Sequence, residues 1–331
     1  MIDDFRTISA ENRKNQAPRL SALAGDTLVV PAGAEIIEDE CSLQSNLCGV
    51  VDEYLANALE NSLHDTVDWS GKRRLKELRD STTSHSWLWS LNPCHGPIVA
   101  ASHYLTAVRL RLGAPSLEHT ILCPRCGGED LDKACVHALR CAIPEATRGH
   151  NNIRDTILHL VHLADPSAST EPLGLIPSAP MLRPADIFTS AAFPGCLAAL
   201  DIGVMSPDAV GAGDDCCEAM CARKLKDYAD HLPELRDSNV KYQPLTFSAY
   251  GRMHLEAESV LLGLSVRAAR RRGLRDHRPI FKRTCSAIGV QIWMRAASMV
   301  LACLPCLELE EERLLFGAGF YEESLTPALA G

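Results

Sequence analysis

Between residues 123 and 141 the chain reads Cys123-Pro-Arg-Cys126, then ten residues, His137, three residues and Cys141. Four ligand-type side chains at this spacing constrain the fold more than any other feature. A Cys-x-x-Cys knuckle presents two thiolates to one ion, and Gly127-Gly128 lets the backbone turn tightly around it. His137 and Cys141 are four apart, on one face of a helical turn, and complete a tetrahedron. Sulfur with one imidazole selects zinc over magnesium or calcium, and four protein ligands make the expected ion structural. Cys135 competes as a ligand, on the wrong helical face if His137 and Cys141 are used. Other pairs carry less weight. Cys303-Leu-Pro-Cys306 lacks nearby partners, Cys216, Cys217 and Cys221 read as helix packing, and His159 and His162 have only ligand-like spacing.

The first sixteen residues, MIDDFRTISAENRKNQ, hold no apolar run. With no secretory leader expected, the fourteen cysteines are read first as metal ligands or small core residues rather than disulfides. The 331 residues are 46% hydrophobic and carry a net charge of −9. A protein that only coats nucleic acid is normally basic, so any nucleic-acid contact must come from a local basic patch or a metal in an acidic site. The longest apolar stretch, near 286–309, is interrupted by Arg295 and reads as a buried helix rather than a membrane span.

Four regions follow from the patterning: a polar and helical extension over 1–84, a helical segment with the cysteine motif over 85–145, a core over 146–250, and a helical region over 251–331. Helices are expected over 35–62, 98–112 (stopping at Gly113), 150–164 and 216–231, with a later break near Gly273 and Pro279. The basic run Lys72, Arg73, Arg74 is read as a loop, and Trp87 and Trp89 fall in a Ser-rich stretch. Strands are expected around MLRPADIF, CLAALDIGVMS and VKYQPLTFSA. The order predicts an α/β (α+β) fold, a small mixed sheet flanked by helices, with a small zinc module and extra helices at both ends.

Asp186 and Asp201 fall on the first two of these strands, nearly equidistant from a turn at Pro194-Gly195. In an antiparallel hairpin they become opposite or diagonal neighbours on one face. Two opposed carboxylates are unfavourable unless something positive lies between them. A divalent cation such as Mg²⁺ answers that need, binding through one or two carboxylates with water and phosphate. Such a metal activates water and balances charge at a scissile phosphate, and a nearby lysine would complete the group. Lys224 and Lys226 follow on the next helix.

Residues 109–141 resemble the zinc-binding segment downstream of the polymerase in non-LTR retrotransposon reverse transcriptases. The block after it resembles their restriction-like endonuclease domain. The matching pieces are HNNIRDTI from His150, RPADIF around Asp186, AALDIGVMSP around Asp201, Lys224 with Tyr228, and YQPLTFSAYGR from Tyr242. Together they span roughly 85–305. The resemblance implies a PD-(D/E)XK fold with Asp186 and Asp201 as its acids. The family's lysine, two residues after the second acid, is replaced here by Gly203. Lys224 matches the lysine that stands in for it in relatives, with Lys226 in reserve. His150 and Asn151 match a motif bordering the active site; the plainer reading is a helix N-cap. Asp155, one turn on, would face the same way. No Tyr-x-Asp-Asp polymerase motif occurs.

Arg267, Arg270, Arg271 and Arg272 lie in a basic stretch over 267–283 and suit phosphate contact; a solvated helix end complementing its own dipole is the alternative. The resemblance implies a metal-dependent DNA endonuclease of retroelement origin, with structural Zn²⁺ and catalytic Mg²⁺. The alternatives are a zinc-stabilised nucleic-acid-binding module without catalysis and a decayed fragment. DNA is the expected partner, RNA the second candidate, and a reverse-transcriptase polymerase domain a third; the expected setting is intracellular and nuclear, away from membranes.

Overall fold

The computed structural model describes residues 69–79, 82–90 and 99–305; the helix expected over 35–62 and the ligand-type residue Cys306 lie outside them. Helices α1 (Trp69–Arg79), α2 (Thr82–Ser90) and α3 (Ala101–Leu112) precede a hairpin of β1 (Ile121–Leu122) and β2 (Asp130–Leu131). Next come α4 (Ala138–Cys141), α5 (Ile143–Ala164) and the short β3 (Ser169–Thr170). Then follow β4 (Ile187–Phe193), β5 (Cys196–Met205), α6 (Cys216–Asp227), α7 (Leu232–Asp237), β6 (Val240–Ser248), α8 (Leu255–Arg271) and α9 (Arg278–Leu301). The architecture is mixed α/β, as the patterning predicted.

Strand order in the main sheet is β3-β4-β5-β6, antiparallel except for the parallel pair β5–β6. A parallel neighbour needs a crossover, which α6 and α7 supply. Pro244 sits inside β6 because that strand is an edge, where a missing N–H leaves no ladder bond open. The β4–β5 turn is Pro194-Gly195, and Gly195 at φ 76° takes the left-handed conformation.

Alternation along β5 sorts two faces. Ala198, Leu200 and Ile202 join Ile153, Ile157, Leu160 and Val161 of α5 and the apolar stripes of α8 and α9 in one core. Ala199 packs in a different cluster, with Val240 and Tyr242. The intervening Asp201 and Gly203 share that second face, toward α6. A further core joins the cysteine hairpin to α3 and α9. Trp87 stacks on Trp293 there at 5.4 Å, and Tyr250 meets Trp293 edge-on at 5.9 Å. Helix α9 belongs to both large cores. Gly289 lets it approach α2, since a Cβ there would lie 2.3 Å from the Thr83 carbonyl oxygen.

Several elements differ from the sequence expectation. Lys72, Arg73 and Arg74 lie in α1, not a loop, and Arg73 pairs with Asp208 at 3.5 Å. Trp87 lies in α2, because burial against Trp293 overrides weak local propensity. Helix α5 starts at Ile143 rather than 150, with Pro144 at its first turn, an N-terminal signal passed over. His150 and Asn151 are therefore interior helix residues, not caps. Asp186 immediately precedes β4 instead of lying mid-strand, and α6 ends at Asp227.

The β4 register shifts between Thr189 and Phe193. Side chains satisfy the backbone this bulge leaves open. Asp165, at the end of α5, accepts from the Ser190 N–H at 2.8 Å, the Thr189 hydroxyl at 2.7 Å and the Ser167 hydroxyl at 2.6 Å. Arg267 donates to the Ala191 carbonyl. Burial would raise the Asp165 pKa, but the Ser167, Thr189 and Ser190 donors outweigh it and hold the carboxyl far below its ordinary value. A depressed folded-state pKa gives stability that is present above the unfolded value, about 3.9, and is lost as pH falls toward the folded value. Asp165→Asn should cost about 2–3 kcal/mol at pH 7. Denaturant titrations of both proteins should show that gap narrowing as pH drops below about 4.

Candidate functional site

The β4–β5 register pairs Ile187 with Leu200, and the Asp186 N–H donates to the Leu200 carbonyl at 2.9 Å. Continuing the register by one residue sets Asp186 opposite Asp201, as the hairpin argument predicts. Both side chains are largely buried, with 16% and 13% of their surface exposed.

Each carboxylate oxygen has its own donor. Asp186 Oδ1 lies 3.1 Å from His150 Nε2, and Oδ2 accepts from the Ile202 N–H at 2.7 Å. Asp201 Oδ1 accepts from Lys224 Nζ at 2.6 Å, and Oδ2 from the Tyr242 hydroxyl at 2.5 Å. The donors come from α5, β5, α6 and β6. Tyr242 reaches Asp201 because it is two residues before Pro244, the register partner of Asp201 on the parallel strand. Lys224 is oriented by the start of its helix. Asp215 caps α6 through the Cys217 and Glu218 N–H groups at 2.9 and 3.0 Å. Arg252 clamps that cap, bonding Asp215 at 2.6 Å and the buried Glu77 of α1 at 2.8 Å.

Burial pushes both aspartates up, with different outcomes. For Asp186 the His150 bond and charge, the Ile202 N–H and the Lys224 charge outweigh it, and the pKa falls. For Asp201 burial prevails, helped by the Asp186 charge, even with Lys224 and Tyr242 opposing, and the pKa rises. The two carboxylates thus differ: the better-paired Asp186 is held ionised, and the more deeply buried Asp201 is pushed toward its neutral form. Each oxygen keeps a second lone-pair direction beyond its present donor. This donor set fits a hard divalent cation. Burial, then the Asp201 charge, drive the Tyr242 phenol far above its ordinary pKa, so it remains a donor.

Gly203 explains how Lys224 enters. A Cβ on Gly203 would lie 2.6 Å from Lys224 Cε and 2.8 Å from Met220 Cγ. The strand position without a side chain is the channel through which the helix lysine reaches Asp201. Lys226, on the same helix, is exposed and joins none of these contacts. Asn151 makes no hydrogen bond to either aspartate, and Asp155 is exposed and paired with Arg154 at 2.9 Å. Tyr242 is the member whose role sequence reasoning missed; only the parallel register reveals it. Arg267 serves the β4 bulge. Arg271 is exposed and reaches the His162 carbonyl at 3.4 Å, while Arg270 and Arg272 are exposed without a side-chain partner among the described residues.

The second candidate site is the cysteine hairpin. The ligand atoms of Cys123, Cys126, His137 and Cys141 all lie within 4.8 Å of one another. Cys123 and Cys141 Sγ are 3.9 Å apart, and Cys126 Sγ is 3.3 Å from His137 Nε2. A tetrahedral ion with metal–sulfur bonds of about 2.3 Å gives S–S edges of about 3.8 Å. The group can therefore bind a metal such as zinc. The other ring nitrogen of His137, Nδ1, lies 3.3 Å from a Glu129 carboxylate oxygen without a hydrogen bond between them. The Gly128 and Glu129 N–H groups lower Cys126 to about 6, whereas burial lifts Cys141 to about 12. Cys135, at φ 59°, is not one of the four. Cys303, just past the end of α9, has no ligand partner near it in the sequence but lies against Cys123 and Cys141 in the fold.

No protein-family model matches this chain, and no curated protein matches it. Among the described residues no helix is long and apolar enough to cross a membrane.

Gly203→Ala should expel Lys224 from Asp201. The expected result is a stability loss of about 1–3 kcal/mol from overpacking, with a shift of the ¹⁵Nζ resonance of Lys224 toward that of a solvated lysine. An unchanged resonance would show that the glycine is not the entry channel.

Proposed function

We propose that this protein is a metal-dependent endonuclease of PD-(D/E)XK type that hydrolyses phosphodiester bonds in DNA and carries a structural zinc. The observation that carries the reading is the meeting of three groups: Asp186 opposite Asp201 across the β4–β5 register, and Lys224 Nζ 2.6 Å from Asp201. The resemblance to the endonuclease region of non-LTR retrotransposon reverse transcriptases points the same way. It also makes a polymerase domain a candidate partner and the nucleus the candidate setting.

Asp186 and Asp201 would hold Mg²⁺, which when bound lowers the pKa of a coordinated water and offsets phosphate charge. Lys224 adds a fixed positive charge beside the reacting phosphate, where water attack on phosphorus builds negative charge as the P–O bond breaks. Tyr242 and the Ile202 N–H hold the two carboxylates in orientation. His150 is a positioning residue, acting through Asp186. Cys123, Cys126, His137 and Cys141 would hold Zn²⁺ as a closed tetrahedral site, with no open position for a reacting group.

A second reading, a zinc-stabilised DNA-binding module without catalysis, is favoured by the exposed Arg270 and Arg272 at the end of α8. It predicts salt-sensitive DNA binding that survives loss of both aspartates and is abolished by charge reversal at Arg270–Arg272.

Two measurements test the proposal. In a plasmid nicking assay with Mg²⁺, Asp186→Ala, Asp201→Ala and Lys224→Ala should each slow cutting roughly 100-fold or more, about 3 kcal/mol of transition-state stabilisation. Equal cutting by all the proteins, or none by the wild type, removes the enzyme. By elemental analysis the wild-type chain should carry about one zinc, lost in Cys123→Ser and Cys141→Ser with a fall in Tm of roughly 10 °C or more. Cys303→Ser should keep it.

A further inference from the structure

One charged side chain has no use in the site so far described. Arg295 lies in the apolar middle of α9 and is only 9% exposed. Its single hydrogen bond among the described residues, from Nε to the Ala146 carbonyl, is long at 3.3 Å. No carboxylate lies within ion-pair distance of it among the described residues. A guanidinium offers five donors, and an unpaired buried one is costly. The fold nevertheless makes room for it. Gly149 of α5 lies flat against its stem, where a Cβ would be 2.3 Å from Arg295 Cγ. A methionine or leucine would fill the same volume without the desolvation cost, so packing alone does not account for the arginine.

Arg295 borders a cavity of about 250 Å³, walled also by His150, Gly203, Met220, Arg223 and Lys224; it borders as well a second cavity of about 360 Å³, whose wall includes Glu145 and Arg148. The carboxylates of Asp186 and Asp201 are not in the wall of the smaller cavity; their partners His150 and Lys224 are. Arg223 is exposed, and among the described residues its side chain bonds only the Met220 sulfur, at 2.9 Å. The smaller cavity thus has three cationic side chains and no acid in its lining, in a protein of net charge −9. Burial lowers Arg295 to about 10, which leaves it charged at neutral pH.

We infer that Arg295 forms the buried floor of a phosphate-binding pocket, completed by Arg223 and Lys224, which seats a backbone phosphate of the DNA strand beside the aspartate pair. Naming the anion a DNA phosphate rests on the proposed nuclease reading; the pocket itself rests on the unpaired arginine and the lining. A planar guanidinium pairs two of its N–H groups with two phosphate oxygens, which an ammonium cannot do. Arg295→Lys should therefore weaken binding although it keeps the charge.

The test compares wild type, Arg295→Met, Arg295→Lys and Arg223→Met by thermal melting and by anisotropy of a short fluorescein-labelled DNA duplex in Ca²⁺ across a salt series. A binding role predicts that Arg295→Met melts at the same temperature or higher. It also predicts at least tenfold weaker DNA binding, with the slope of log K against log salt smaller by roughly one. Arg295→Lys should fall between, and Arg223→Met should lose less. Unchanged affinity and slope in a folded Arg295→Met protein overturns the inference. If Arg295→Met does not fold, phenylglyoxal modification of the wild type decides: DNA should protect Arg295 from labelling, and equal labelling with and without DNA overturns the inference. A wild type that fails to nick in Mg²⁺ while Arg295 still governs DNA binding defeats the nuclease reading and leaves the pocket standing.

Discussion

Two carboxylates held opposite each other and largely out of water set the terms for the rest of this molecule. Asp186 and Asp201 are brought together by a hairpin register, and their mutual repulsion must be met locally. Each of their four oxygens has a separate donor, and those donors arrive from four elements. Packing of α5, α6 and β6 on the sheet is thus inseparable from the electrostatics of one small patch. The supports one layer out are also charged: Asp215 caps the lysine's helix, and Arg252 ties that cap to Glu77 of α1. Asp165 does the same at the β4 bulge. Even so burial, with the Asp186 charge, keeps the Asp201 pKa raised.

The cysteine hairpin belongs to the same structural economy. It packs in one core with α3 and α9, and α9 also lines the core of the main sheet. Cys303, at the end of that helix, touches two of the four metal-ligand candidates. Arg295, two turns earlier, borders the cavity beside the aspartates. One helix therefore runs between the two candidate sites.

Much of this was legible in the chain. The four-ligand spacing foretold which atoms would meet, because Cys-x-x-Cys and a four-residue His–Cys step are short-range geometry. The hairpin with its Pro194-Gly195 turn placed the aspartates opposite each other for the same reason. What escaped was long-range. Tyr242 lies 41 residues from Asp201, and only the parallel register brings it there. The positions of Lys72, Arg73 and Arg74 in a helix, and of Trp87 in another, depend on partners far along the chain. Arg295 was visible only as a blemish in an apolar stretch. Its meaning depends on which atoms surround it.

Gly203 has a consequence for how such a site can change over time. A side chain on the strand at that position and the helix lysine compete for one volume, since a Cβ would come within 2.6 Å of Lys224 Cε. With a side chain at 203, Lys224 or Met220 would have to leave its present place. A pattern search written along a single strand will find Asp-x-Gly here and stop, although the lysine stands in place on the helix above.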